Sequence, residues 1–290
     1  MPELPEVETI VRELNNTVKG KIINDFWTDN FKSNTQLQNF RALIKRQKII
    51  KAERKGKNIL IFLDKNLVLW IHLKLTGHLL LGQYIWKEGK WQSLKKGVYL
   101  EPQNRFIHWV FSLNNGQQLV LSDSRRFAKV RLLTQDELSK EKSLQELGHD
   151  PLASDFTEQA LKDILKKTKS EIKKVLMEQR HLSGIGNIYA SEILFAAQIN
   201  PFKKANQLTK IETHHLFLAI KNILNKAIKY RGTSAQDEAY RQLDGTPGNF
   251  SRFLKVYQRE GKPCVRCGTL IKRIKSQGRS TFYCPQCQKL

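Results

Sequence analysis

The chain has 290 residues, with 50 Lys and Arg against 27 Asp and Glu, for a formal charge of +23. That length allows one large domain or two ordinary ones, and a composition 40% hydrophobic and 9% aromatic excludes a disordered or low-complexity chain. No apolar run approaches the ~20 residues that span a bilayer. The opening MPELPEVETI also lacks the basic-then-apolar order of a signal peptide, so a cytoplasmic protein without a membrane partner is expected.

An excess of cations this large favours a polyanionic partner, because each Lys or Arg placed on a phosphate backbone releases condensed counterions. An anionic membrane surface is the rival, but no long basic amphipathic helix stands apart from the folded pattern.

At the start of the chain, residues 5–14 predict a short helix, with Pro5 suited to its first turn and Glu6 and Glu8 near the positive end of its dipole. Complementing that dipole is the plain reading of Glu3 and Glu6. The terminus also offers chemistry. Once Met1 is removed, Pro2 becomes a secondary amine, and α-amino groups titrate near ~8 against ~10.4 for Lys, so roughly 10–20% is unprotonated at neutral pH. Such an amine can attack a sugar carbon and form an iminium, with Glu3 beside it as general acid.

From about residue 20 to 133 the pattern is that of short strands, at 58–63, 67–73, 106–111 and 118–122. Turn material at 64–66 and the Asn114-Asn115-Gly116 hairpin signal separate them, and this spacing predicts a sandwich or barrel. Lys57, after Gly56, leads directly into a strand, where a solvated basic loop is the default reading. In Asp123-Ser124-Arg125-Arg126-Phe127 the Asp can cap a turn while the arginines are solvated. Alternatively, an Arg and an aromatic on one loop form a wedge that fills the gap left by an extruded base.

A polar, charged linker is expected at 135–154, followed by helices. Leu161, Ile164 and Leu165 share helical spacing, as do Ile172, Val175 and Leu176, and a longer helix carries Leu216, Ile220, Ile223, Leu224 and Ala227 on one face. Ser183-Gly184-Ile185-Gly186-Asn187 permits a tight turn between helices. Asn187 is expected to cap the next helix and leave N–H groups for a phosphate, although an ordinary helical corner explains the stretch equally well. Residues 231–252 mix Gly, Thr, Ser, Asp and Pro and predict a long loop.

All four cysteines lie near the end, as Cys264-x2-Cys267 and Cys284-x2-Cys287. Two such pairs bring four thiolates to one tetrahedral ion, which points to a single structural Zn2+ with no open position for catalysis. Lys272, Arg273, Lys275 and Arg279 between them predict a basic hairpin face that contacts phosphates.

These signals coincide in one family. The opening Met1–Thr9, the GIGNIYA stretch Gly184–Ala190 and the ending Gly278–Gln288 resemble formamidopyrimidine-DNA glycosylase, and the resemblance runs from residue 2 to the C-terminus. It implies a bacterial, nucleoid-associated enzyme that excises oxidised purines such as 8-oxoguanine and formamidopyrimidines from damaged double-stranded DNA. Strand nicking by β,δ-elimination would follow. Pro2 would be the nucleophile, Glu3 the proton donor, Lys57 and Arg279 further catalytic-site residues, and Asn187 a phosphate contact. His72 and Arg126 would touch DNA, while Leu75, Arg125 and Phe127 would form the wedge. Leu75 stands where the family usually has Met, a volume-conserving change costing under ~1.5 kcal/mol, so wedging is expected to survive. Ala128 and Arg231 replace usual glycines, and Arg231 opens the loop Thr233–Asp237 that in the family closes over the flipped base.

The expected architecture is therefore two-domain α+β. It comprises a β-sandwich domain with flanking helices at 1–134, the linker at 135–154, a helix–two-turn–helix domain at 155–230, a lesion-capping loop at 231–252 and a four-cysteine zinc finger at 253–290. A monomer is expected. The alternatives are an endonuclease VIII-type glycosylase for oxidised pyrimidines, a non-catalytic zinc-ribbon DNA-binding protein, and an RNA- or ribosome-associated protein. Leu4 and the Arg125–Phe127 loop favour the purine enzyme over the pyrimidine type.

Overall fold

The computed structural model describes residues 1–30, 34–234, 240–276 and 278–290. The chain forms two units, one of Met1–Lys142 with Arg231–Asn249, the other of Ser143–Tyr230 with Phe250–Leu290.

The first unit opens with α1 (Leu4–Thr17), which starts one residue before and ends three after the sequence pattern. Glu3 is its N-cap, in a capping box with Glu6, and Pro5 occupies the first turn, where no N–H is required of it. Leu4, Val7, Ile10, Val11 and Leu14 are all buried, which is the spacing of one helical face.

The strands follow as β1 (Ile23–Thr28), β2 (Ile49–Lys55), β3 (Asn58–Leu63), β4 (Leu67–His72), β5 (His78–Gly82), β6 (Tyr84–Lys87), β7 (Lys90–Ser93), β8 (Ile107–Leu113), β9 (Gln118–Ser122) and β10 (Lys129–Thr134), with α2 (Asn34–Ile44) after β1. Two four-stranded sheets result, in the orders β1-β8-β9-β5 and β10-β4-β3-β2, with antiparallel neighbours throughout. β6 and β7 pair separately as a hairpin. The β3–β4 turn places Lys65 and Asn66 at φ 53° and 61°, the left-handed pair that matches strand twist.

Alternate residues of both sheets enter one core. Ile59 and Ile61 of β3, Leu69 and Ile71 of β4, Leu79 of β5, Trp109 and Phe111 of β8, and Leu119 and Leu121 of β9 share it with the buried face of α1. A second, smaller core of Leu80, Val110, Val120, Tyr84 and Tyr99 covers the other face of β5, β8 and β9. The sandwich reading is thus realised, with one sheet buried on both sides.

Where the polar composition reads as a linker, the chain instead begins a helix, α3 (Gln135–Ser139), followed by α4 (Lys142–Gln145). Thr134 and Glu137 form a capping box, and Asp136 and Glu137 lie in the first turn, so local capping orders a stretch with no apolar face.

The second unit carries α5 (Glu158–Lys166), α6 (Ile172–Met177), α7 (Asn187–Ala196) and α8 (Lys210–Lys229), then the hairpin β11 (Lys272–Ser276) and β12 (Arg279–Tyr283). α7 is buried on every side from Ile188 to Phe195, the pattern of a central helix. Of the stretch 231–252, residues 231–249 group with the first unit, and 250–252 begin a 3-10 turn in the second. Ala235, Gln236 and Asp237 of the expected capping loop lie outside the described residues. Among the described residues no helix is long and apolar enough to cross a membrane.

Candidate active site and metal centre

Pro2 and Glu3 are both buried. The Glu3 backbone N–H donates to Glu6 Oε2 at 2.8 Å, and Glu6 Oε1 accepts the Thr233 N–H at 2.7 Å. Glu6 therefore does more than complement a dipole: one buried carboxylate holds the start of the chain to a segment more than two hundred residues away. Gly232 makes this approach possible. It has φ +80°, and a Cβ on it would lie 2.8 Å from both Cγ and Oε1 of Glu6.

Lys57 is buried in the turn just before β3, after Gly56 at φ 58°. His72 ends β4, and burial followed by the Lys74 and Lys57 cations pulls its pKa down to about 4. The ring is accordingly neutral at pH 7. Lys74 donates its backbone N–H to His72 Nδ1 at 3.1 Å, which leaves the ring proton on Nε2. Lys74, in left-handed backbone at φ 56°, is itself depressed by partial burial and by Lys129. Two lysines around a neutral histidine make a local field suited to an anion.

Leu75 follows, with its side chain 42% exposed. Its segment is held by Gly77, where a Cβ would come 2.5 Å from the Leu73 carbonyl oxygen, and by Thr76, whose hydroxyl donates to Asp123 Oδ1. Asp123, fully buried, also accepts the Arg125 N–H at 3.2 Å and the Ala128 N–H at 2.7 Å. One carboxylate thus staples the Leu75 segment to the Arg125–Phe127 turn. Phe127 is 51% exposed, with the Arg125 guanidinium 5.2 Å from its ring centre. Arg126, at φ 55°, points elsewhere and pairs with Asp29 at 2.8 Å.

In the second unit, Asn187 is not the cap expected from its residue type. Gly186 is the N-cap of α7, and Asn187 is the first helical residue. The reason is the preceding turn: Gln179 donates to the Ile185 carbonyl at 2.9 Å and accepts the Gly184 N–H at 2.8 Å, which fixes where the helix begins. Asn187 Oδ1 is buried without a hydrogen-bond partner among the described residues.

Arg279 begins β12 exposed, and the hairpin register puts it on one face with Lys272, while Arg273 and Lys275 lie on the opposite face with Ser280 and Phe282. Arg279 lines a cavity of about 260 Å³ together with Lys173, Lys174 and Met177. Lys173 is buried and donates from Nζ to the Ser280 carbonyl at 3.1 Å and to Thr281 Oγ1 at 2.9 Å, so it locks α6 to β12 beside Arg279. Sequence reasoning missed this residue, because nothing local distinguishes Lys173 from its neighbour Lys174. Gln179, Glu6 as a tether and Asp123 as a staple were hidden for the same reason.

The four cysteine sulfurs all lie within 4.8 Å of one another, with Cys264–Cys287 at 3.8 Å and Cys267–Cys284 at 3.5 Å. Tetrahedral zinc with Zn–S near ~2.3 Å requires sulfurs about 3.8 Å apart, so the donor set fits the ion. Backbone N–H groups of Arg266 and Cys287 point at the Cys264 and Cys284 sulfurs at 3.4 Å, as thiolates favour. Arg266 also donates to the Phe195 and Ala196 carbonyls, tying the ribbon to the negative end of α7. The site binds one structural Zn2+ that supplies rigidity.

Three family models match in succession: the formamidopyrimidine-DNA glycosylase N-terminal domain over residues 1–130, its H2TH domain over 147–239, and the zinc finger found in FPG and IleRS over 261–290. The formamidopyrimidine-DNA glycosylase of Pelotomaculum thermopropionicum is 39% identical over all of both chains, and that of Bacillus cereus 35% over 99% of each. Among solved structures, MutM (FPG) from Thermus thermophilus superposes with a TM-score of 0.83 at 32% identity, covering 99% of this chain and 98% of that one. Lactococcus lactis FPG bound to DNA containing an oxidised pyrimidine gives 0.83 at 31%, covering 100% of each. With every domain matched in order and relatives aligned from end to end, the chain belongs to the formamidopyrimidine-DNA glycosylase family, DNA glycosylases that act on damaged DNA.

Proposed function

We propose that this chain is a bifunctional glycosylase and lyase that removes oxidised purines, 8-oxoguanine and formamidopyrimidines, through an iminium formed at Pro2. The observation that carries the reading is the buried Pro2-Glu3 pair at the positive end of α1, held in place by Glu6 through the Glu3 N–H.

In this reading, removal of Met1 frees the Pro2 nitrogen. Its lone pair forms the N–C1′ bond as the bond from C1′ to the base breaks, and the proton then shed by the Pro2 nitrogen passes to the departing base. Glu3 protonates the ring oxygen as the sugar opens, giving a cationic iminium. That cation acidifies the C2′ proton, which the now ionised Glu3 or water accepts as the 3′ phosphate leaves, and loss of the C4′ proton through the conjugated iminium then expels the 5′ phosphate. Lys57, with neutral His72 and Lys74 nearby, supplies positive charge for the phosphates flanking the lesion. Leu75, Arg125 and Phe127, exposed on two loops stapled by Asp123, fill the space vacated by the extruded nucleotide, whose unstacking costs a few kcal/mol. Asn187 and Arg279 contact phosphate from the second unit.

Oxidised pyrimidines are the second substrate class, because the Lactococcus lactis relative was solved with DNA containing one. A related structure holds Fapy-dG DNA, which supports the purine class. Borohydride trapping tests the proposal. Protein whose Met1 has been removed should cross-link to an 8-oxoguanine duplex, and faster than to an oxidised-pyrimidine duplex. Acetylating the terminal nitrogen should abolish both the cross-link and strand scission. Undiminished scission after acetylation would refute the Pro2 chemistry, and a faster pyrimidine reaction would reverse the substrate order.

A further inference from the structure

Exposed apolar side chains of the first unit concentrate in one stretch. Ile85 and Trp86 on the β6–β7 hairpin, with Leu94, Leu100 and Phe106 just beyond it, are each 42–55% exposed. Apolar exposure grouped in this way marks an interaction surface rather than scattered solvent contact. Trp86 packs on Trp27 and Trp91, with the three ring centres 5.1–5.8 Å apart in tilted or edge-on contact.

Beside the hairpin lies a cavity of about 160 Å³ lined by Trp91, Tyr99, Leu100 and Ile107, with Lys90 and Arg105. It is similar in size to the ~150 Å³ apolar cavity that accommodates a benzene ring. The Trp91 indole N–H is buried and has no hydrogen-bond partner among the described residues. Lys87, Lys90, Lys95 and Lys96 project from the same stretch, with the Lys95 ammonium 5.5 Å from the Tyr99 ring centre. Its two acidic residues are engaged, Glu88 with Lys87 at 3.7 Å and Glu101 with Arg241 at 3.3 Å.

We infer that this face docks an acidic peptide segment of another protein, with one apolar side chain of the peptide seated in the cavity and its carboxylates on the lysines. Charge selects the partner: Lys90, Lys95, Lys96 and Arg105 give the face a positive charge that carboxylates complement, while Gln92, Ser93 and Asn104 in the cavity lining are neutral. Single-stranded nucleic acid would need open ring faces for stacking. Here Trp86 leans on Trp27 and Trp91, and of the other exposed apolar residues only Phe106 offers a ring. The site shares no residue with the proposed glycosylase chemistry and stands or falls independently of it.

The test uses the full-length, zinc-loaded protein and a fluorescein-labelled peptide alternating Asp with Leu and Phe, followed by anisotropy. Binding that weakens with added salt is expected. Leu94→Asp and Lys90→Glu, both at exposed positions, should each weaken it by about tenfold, with melting temperature and cleavage of damaged duplex unchanged. An unlabelled oligothymidylate should not displace the peptide. Absence of peptide binding, binding insensitive to both substitutions, or displacement by oligothymidylate would each overturn the assignment, the last in favour of single-stranded DNA.

Discussion

The Arg231 guanidinium donates to Glu13 Oε1 on α1, while Glu13 Oε2 accepts the Leu243 N–H at 3.0 Å. One helix carboxylate thus clamps both arms of the segment that returns to the first unit. Arg231 does this from left-handed backbone at φ 60°, a conformation that costs a side-chain-bearing residue roughly 1–2 kcal/mol. The glycine that the family resemblance places there would avoid this strain but could not make the ion pair. Arg231→Gly should therefore destabilise less than Arg231→Ala, because alanine keeps the strain and loses the pair. The pair is half-exposed, so its coupling in a double-mutant cycle with Glu13→Ala should be about 1 kcal/mol. Urea denaturation measures both quantities, and an alanine variant at least as stable as the glycine variant would contradict the strain argument.

His72 gives a pH signature. Its folded pKa of about 4 lies below the ordinary value of 6.5, so below 6.5 the unfolded chain binds the proton that the folded chain refuses. The stabilisation is complete above pH 6.5 and is lost as pH falls toward 4, on the order of 1–2 kcal/mol after allowing for partial exposure. His72→Gln should flatten that part of the profile of urea midpoint against pH. An unchanged slope would show that other groups set it.

Glu192 lies wholly buried in α7 and accepts N–H groups from Lys255, Val256 and Tyr257, each at 2.9 Å. Burial raises its pKa, and the three donors oppose that rise. Glu192→Ala would leave three buried donors unsatisfied, at a cost of about 3 kcal/mol or more. Glu192→Gln should cost less, since its carbonyl still accepts. Thermal melting with zinc bound would rank them, and equal melting temperatures for wild type and Glu192→Ala would remove the tether from the account.

Stripping the metal should unfold the ribbon selectively. Arg266, Lys173 and Gln288 anchor parts of residues 261–290 to the second unit, but only the metal joins the two cysteine turns to each other, so loss of zinc should free the thiols and loosen the hairpin that carries Arg279. Chelation under denaturant-free conditions is expected to abolish binding to a damaged duplex and to leave hydrogen-exchange protection of β3, β4 and β9 intact. Retained DNA affinity in zinc-free protein would contradict this.

Several elements were legible from local pattern. The apolar runs at 58–63 and 118–122 coincide with β3 and β9, and the helical spacings around Leu161, Ile172 and Leu216 lie on α5, α6 and α8. β1, β2, β5, β10, the β6–β7 hairpin and α2 do not stand out in the pattern: the strands are short, and α2, though eleven residues long, mixes polar with apolar residues so that no clear apolar face emerges. The cysteine pairs declared their geometry through spacing alone, since two-residue loops leave thiolates little other arrangement around one ion.

By itself, then, the sequence determined what depends on neighbours along the chain: element type, the metal's donor set, and a proline placed next to a carboxylate. Tertiary structure alone decided which carboxylate holds which loop. Glu6 on Thr233, Glu13 on Arg231 and Leu243, and Asp123 on Thr76 join segments far apart in sequence. It also moved the α7 cap from Asn187 to Gly186 through Gln179, and turned Arg126 toward Asp29. A buried carboxylate must find N–H or O–H donors, and any segment the fold brings near can supply them, so the partner becomes known only once the chain has closed on itself.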